Sequence, residues 1–141
     1  MKILILCTGN SCRSQMAEGF LKSVDASFEV FSAGTNPAQY VNPHAIKVMS
    51  EVGIDISKEH SKNVNQFINQ SFDYVITVCD NAKETCPMFI GNVKNKLHIG
   101  FVDPADAVGT EEEILYVYRQ VRDEIIEEFT TFYQKISREL K

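Results

Sequence analysis

The first fourteen residues constrain this chain most: Met1-Lys2-Ile3-Leu4-Ile5-Leu6-Cys7-Thr8-Gly9-Asn10-Ser11-Cys12-Arg13-Ser14. The apolar run from Ile3 to Leu6 is too short for a helix and suits a buried strand. It stops at Cys7, and a polar loop follows. From Ser14 a helical period sets Met16, Ala17, Phe20, Leu21 and Val24 on one face. Strand, tight loop and helix start together make a cradle for a tetrahedral oxyanion. Successive N–H groups of such a loop converge as a nest, and the helix N-terminus adds its positive dipole end. Gly9 and Asn10 are expected to take the unusual backbone angles that the loop needs. Arg13 supplies a planar fork for two anion oxygens. Cys7 falls at the floor of the cradle, where that field favours thiolate over thiol. Both residues have plainer uses, Cys7 as a small core side chain and Arg13 as a surface charge. Their placement between strand and helix favours a nucleophile aimed at the central atom of an anion.

At 141 residues the chain fits one domain, residues 1–141, with a real core. A net charge of -5 offers no basic surface to nucleic acid, and no apolar run approaches membrane-spanning length. The short apolar run after Lys2 flows straight into the loop, unlike a signal peptide. The expectation is a cytoplasmic monomer. In that compartment four Cys point to catalysis or redox chemistry rather than to a disulfide framework.

Further along, residues 28–32 read as a second strand, with Ala33-Gly34-Thr35-Asn36-Pro37 as its exit loop. Asn42-Pro43 starts a helix, with Ala45, Val48, Met49 and Val52 as its apolar face and Gly53 as its stop. A short helix is expected through Val64, Phe67 and Ile68. Residues 72–78 form a third strand that also ends at a Cys, Cys79. Residues 80–86 suit two turns of helix before Pro87, 88–95 a loop, and 96–99 a short fourth strand. Residues 100–109 form a loop carrying Asp103-Pro104. Thr110-Glu111-Glu112-Glu113 is a capping box. It opens a helix whose face is Ile114, Tyr118, Val121, Ile125, Phe129, Phe132, Ile136 and Leu140, long enough that a break or fraying is expected near its end. Alternating strands and helices imply an α/β fold, with parallel strands and ligands bound past their carboxyl ends.

The run Cys7-Thr8-Gly9-Asn10-Ser11-Cys12-Arg13-Ser14-Gln15-Met16-Ala17-Glu18-Gly19 resembles the signature of the low-molecular-weight protein tyrosine phosphatase fold, in the wording of its thioredoxin-coupled arsenate reductases. The similarity continues at Phe31-Ser32-Ala33-Gly34, Asn42-Pro43, Val52-Gly53-Ile54-Asp55-Ile56-Ser57, Cys79 to Cys86-Pro87, Asp103-Pro104-Ala105 and Gln120 to Ile125. The resemblance implies a three-layer domain with a four-stranded parallel sheet in the order 2-1-3-4, flanked by helices. It brings Cys7 and Cys79 to one mouth, and it carries Asp103, alone more often a plain turn residue, onto the family's general acid. Residues Thr8 to Ser14 would bind the oxyanion. Ser14 would donate to Cys7, Asn10 would brace the loop, and Cys12 reads as structural.

Cys79 and Cys86 separate two activities. A phosphatase needs one thiol, one Arg and one Asp, whereas a reductase can use the extra thiols as a relay. Cys7 attacks arsenic while Asp103 protonates the departing oxygen. Cys79 then attacks Cys7 and releases arsenite, and Cys86 takes over the disulfide. The resemblance names thioredoxin as the reductant, and no cofactor is implied. Were residues 80–86 helical, Cys79 and Cys86 would sit ~10 Å apart along the axis. A disulfide needs Cα atoms within ~7 Å, so oxidation must unwind that segment. A phosphotyrosine phosphatase and a silent oxyanion-binding module are the alternatives. Two departures from the family stand out. The run Ile99-Gly100-Phe101-Val102-Asp103-Pro104 has no Trp and one Asp where relatives often carry Trp-Gly-Phe-Asp-Asp-Pro. In members with a potassium site, Asn10, Glu18 and Ser32 match the ligands, but Lys62 stands where an Asp would be. Lys62 is therefore expected in place of the ion.

Overall fold

The structure is a computed structural model and describes residues 1–80 and 89–139. Strand β1 (Lys2–Cys7) leads through the Cys7–Cys12 loop into helix α1 (Arg13–Val24), and β2 (Glu29–Gly34) returns beside it. Helix α2 (Pro43–Ser50), β3 (Phe72–Thr77), β4 (Val93–His98) and α3 (Glu111–Glu139) follow. All strands are parallel, in the order β2-β1-β3-β4, so the order reverses between β1 and β3. Cys7 ends β1 opposite Gly34, and Leu6 lies opposite Thr77, which sets three strand ends around one point.

Period-two alternation divides the core. Ile3, Ile5, Ile76 and Val78 face α1, α2 and α3, whereas Leu4, Leu6 and Val75 face the other side. That second side is covered by a cluster of Phe31, Phe67, Phe72 and Phe89 with rings 5.5–6.2 Å apart, and by a 3₁₀ turn at Val64–Gln66. Helix α3 buries Leu115, Tyr118, Val121, Ile125, Phe129, Phe132 and Ile136 and runs unbroken to Glu139. Its apolar stripe is anchored by Leu115 rather than Ile114, which packs at the flank. The expected break is absent from residues 111–139, because aromatic packing continues to the last turns: Phe129 and Phe132 lie 6.1 Å apart and Tyr74 packs on Phe132 at 5.1 Å.

Local chemistry accounts for the ends of these elements. Asn42 Oδ1 accepts from His44 N at 2.8 Å and Pro43 opens α2. Thr110 Oγ1 accepts from Glu113 N, and Glu113 Oε1 accepts from Thr110 N, both at 3.2 Å, closing the capping box. Glu51, just past α2, binds both Arg119 and Arg122 of α3, and those bonds lower its pKa to about 2. Strand β4 begins at Val93, earlier than its sequence suggests, because Lys94, Asn95 and Lys96 lie on an exposed edge where polar side chains are tolerated. Among the described residues no helix is long and apolar enough to cross a membrane.

Two glycines near the cleft behave differently. A Cβ on Gly34 would lie 2.3 Å from Thr8 O and 2.9 Å from Cys7 O, so only glycine lets β2 close against the loop. A Cβ on Gly9 would meet only Ser11 Oγ, at 3.6 Å. Gly34→Ala should therefore destabilise the fold by ~1–3 kcal/mol, the usual cost of overpacking, and lower Tm by several degrees. Gly9→Ala should leave Tm nearly unchanged. Thermal melts of the two variants side by side check this, and equal shifts would contradict it.

Candidate oxyanion site

The Cys7–Cys12 loop is shaped by one left-handed residue, Asn10, with φ 50°. Gly9 does not take a positive φ, contrary to the expectation for it. Asparagine tolerates this region because its short polar side chain can bond locally, and Asn10 bonds on every side. Its Nδ2 donates to Ser14 Oγ at 2.8 Å and Ser32 Oγ at 2.9 Å. Its Oδ1 accepts from Lys62 N at 2.9 Å and Gln15 Nε2 at 3.0 Å. Its carbonyl accepts from Ser61 Oγ at 2.8 Å. The loop, α1, β2 and the segment around Lys62 are thereby fastened to one fully buried side chain.

Above this anchor opens a cleft of about 270 Å³. Cys7, Thr8, Gly9, Ser11, Cys12 and Arg13 line it from the loop and helix start, and Asn36 and Asp103 face them. Cys7 is outside any disulfide, 3% exposed, at the end of β1. Arg13, 2% exposed, donates from Nη1 to Phe101 O at 3.1 Å and holds Nη2 3.5 Å from Asp103 Oδ2. The guanidinium thus bridges the oxyanion loop and the Asp103 loop. Asp103 Oδ1 also accepts from Ala105 N at 3.0 Å and caps the 3₁₀ turn Pro104–Asp106. A capping carboxylate and a cleft-facing carboxylate are here one residue.

Cys12 precedes α1, and its Sγ lies 3.7 Å from both Ser11 Oγ and Tyr118 Oη. Burial pushes its pKa up to about 11. Burial likewise raises Tyr118 far above the usual phenol range. Cys79 is fully buried just past β3, one strand from Cys7, and is disulfide-bonded. Cys86, and the helix and unwinding expected for residues 80–86, fall within residues 81–88 or depend on them and lie outside the described residues.

Beneath the loop, Glu18 is 2% exposed. Its Oε2 binds Lys22 Nζ at 2.7 Å, and its Oε1 lies 4.0 Å from Lys62 Nζ. Lys62 Nζ also donates to His60 O at 3.0 Å. Sequence reasoning missed Gln15, Asn36 and Tyr118. Gln15 sits on a helix face that looked polar yet is buried, and nothing in its type gives that away. Asn36 looked like a turn residue, and its N–H donates to Thr8 O at 3.0 Å. Tyr118 carried the one available signal: a tyrosine inside an apolar stripe needs a partner for its hydroxyl.

The model of the family described as "Low molecular weight phosphotyrosine protein phosphatase" matches residues 2–141. An arsenate reductase of Halalkalibacterium halodurans is 50% identical over 131 residues, which cover 92% of this chain and 93% of that protein. A solved arsenate reductase in its reduced state superposes with a TM-score of 0.77 at 34% identity, covering 96% of this chain and 98% of that one. A thioredoxin-dependent arsenate reductase of Corynebacterium glutamicum superposes with a TM-score of 0.61 at 27% identity, covering 95% of this chain and 62% of that one. With a match along almost its whole length, a cysteine at the end of the first strand and an arginine at the helix start, this chain belongs to the low molecular weight phosphotyrosine protein phosphatase family.

Proposed function

We propose that this protein reduces arsenate to arsenite through Cys7, Cys79 and Cys86, with thioredoxin restoring the thiols. The observation that carries the reading is the pairing of Cys7, outside any disulfide and lining the cleft, with a disulfide-bonded Cys79 just past the adjacent strand end. The relatives named above are arsenate reductases, and one is thioredoxin-dependent. A thiol relay of this kind fits the reducing cytoplasm.

Arsenate enters the cleft against the loop amides and the Arg13 fork, which match its charge and tetrahedral shape. The Cys7 thiolate attacks arsenic, helped by the nest and the helix start, with Ser14 donating to the sulfur. Asp103 protonates the oxygen that departs as water. Cys79 then attacks the Cys7 sulfur. The As–S electron pair stays on arsenic, which leaves as arsenite, and a Cys7–Cys79 disulfide forms. Cys86 attacks Cys79 and frees Cys7, and thioredoxin reduces the remaining disulfide.

Phosphotyrosine hydrolysis is the second reading. The grouping of Cys7, Arg13 and Asp103 suits phosphoryl transfer equally, and the family carries that name. Thioredoxin-coupled arsenate turnover decides between them. Cys79→Ser and Cys86→Ser should each stop arsenate turnover while sparing any aryl phosphate cleavage, and Cys7→Ser should abolish both. Absence of arsenate turnover in the parent protein, with brisk aryl phosphate hydrolysis, would establish the phosphatase instead.

Asp103→Asn should lower kcat by ~10²-fold or more, as loss of a general acid does, and change oxyanion binding little. Phosphate competition measures the binding side. Equal losses in both would make Asp103 a positioning residue.

Lys62 supplies, as a tethered ammonium beside Glu18, the positive charge that a potassium ion would bring to that carboxylate. The 4.0 Å approach to Glu18 Oε1 supports this, and a fixed cation there leaves the residues ill-suited to a second one. Exchange of potassium for sodium at constant ionic strength should change neither Tm nor kcat. A potassium-specific rise in either would overturn the assignment.

A further inference from the structure

The cleft is lined by two cysteines that are outside any disulfide, and the proposed relay uses only one. Cys7 and Cys12 are 3% and 4% exposed and line the same space. Cys12 is the residue that caps α1, yet its side chain makes no capping bond. Its sulfur is held beside Ser11 Oγ and Tyr118 Oη instead. Tyr118 is in turn fixed, 1% exposed, with its ring 5.1 Å from that of His44, whose Nε2 bonds Glu111 Oε1 at 3.0 Å. A buried thiol at the wall of a polar cleft, steadied by a phenol on another helix, is more than a core filler.

Burial pushes the Cys12 pKa up to about 11, so it stays a thiol at neutral pH and is a poor nucleophile. Trivalent arsenic does not need a preformed thiolate. It is a soft centre whose hydroxyls exchange for sulfur, and soft thiolate ligands select such centres. The arsenite released by the proposed reaction arises in this same cleft.

We propose that Cys7 and Cys12 form a dithiol site for trivalent arsenic, through which the protein is inhibited by its own product. One As(OH)₃ condenses with both thiols. Two As–S bonds replace two As–OH bonds, each thiol hydrogen leaves with a hydroxyl as water, and arsenic stays trivalent with no electron transferred. The first bond makes the second intramolecular, so the pair binds far more tightly than either thiol. Arsenite held in this way removes the nucleophile and fills the oxyanion cradle, which makes it competitive with arsenate. The source of the ligand rests on the arsenate reductase reading, whereas the binding chemistry does not.

The test uses the full chain carrying Cys79→Ser and Cys86→Ser, so that only Cys7 and Cys12 remain, in a phosphine reductant that offers no competing thiol. Arsenite is titrated and followed by native mass spectrometry, with phosphate binding measured in parallel. One arsenic per chain, with the mass deficit of two waters, is expected, and saturating arsenite should abolish phosphate binding. Adding Cys12→Ser, in a protein whose thermal melt shows it folded, should weaken arsenite at least tenfold. A deficit of one water, unimpeded phosphate binding under saturating arsenite, or unchanged affinity in the Cys12→Ser protein would each overturn the site. The titration involves no turnover. Dithiol binding without arsenate reduction would therefore sink the reductase reading alone, and arsenate reduction without dithiol binding would sink only this one.

Discussion

The Asn10 side chain is the interaction on which the rest of the site depends. Both Nδ2 hydrogens and both acceptor positions of Oδ1 are used, by Ser14, Ser32, Lys62 and Gln15. A buried amide with every group satisfied is rigid, because rotating it would break several bonds at once. Each partner left unsatisfied in a buried place costs ~1–3 kcal/mol. That penalty holds the left-handed backbone at Asn10 and with it the turn of the loop that lines the cleft. The geometry of the cradle is therefore set from beneath, by a side chain that does not itself line the cleft.

Much of this was legible because the relevant signals are local. A strand run ending at Cys7, a polar loop and a helical period beginning at Ser14 specify β1, the loop and α1 without reference to anything distant. The Thr110 capping box and the Asn42-Pro43 start are equally self-contained. What was hidden depends on the other side of a contact. Gln15 and Glu18 lie on α1 beside Ser14 and Met16; their types suggest solvent, and only the family resemblance set Glu18 beneath the loop. They are buried because the segment carrying His60, Ser61 and Lys62 folds over them, and no short window of sequence records that. Gly19 belongs to the same contact, since a Cβ there would lie 2.6 Å from Ile56 Cγ2. Strand β4 was underestimated for the opposite reason: an edge strand can be polar on exposed positions, so Lys94 to Lys96 hide its start.

Arg13 joins the halves of the site. It is almost wholly buried, and its guanidinium reaches the Phe101 carbonyl and the Asp103 carboxylate, both on the loop after β4. A buried guanidinium needs acceptors, and in the cleft without an anion these two supply part of the set. An incoming oxyanion brings further negative oxygen to the same fork. The helix start and the loop that carries the carboxylate are thus joined by a single planar group, so a displacement of one is felt by the other.

The cradle does not choose the reaction. Arsenate and phosphate share charge and tetrahedral shape, and the roles proposed for the loop amides, Arg13 and Asp103 depend on those alone. On the proposed reading the difference arises after Cys7 has attacked. A phosphorus centre bound to sulfur has no accessible lower state, so water must take it off and the enzyme is a phosphatase. An arsenic centre can accept the sulfur–arsenic electron pair, provided a second thiol attacks Cys7 and takes sulfur's share of the oxidation. In the proposed relay that thiol comes from just past a neighbouring strand end, whereas burial raises the pKa of the cleft's Cys12 to about 11. β3 lies next to β1 in the parallel sheet, its last residue Thr77 pairs with Leu6, and Cys79 follows two residues later. Chemistry that separates a reductase from a phosphatase on this scaffold is therefore decided by what closes the third strand, at the point where strand order reverses.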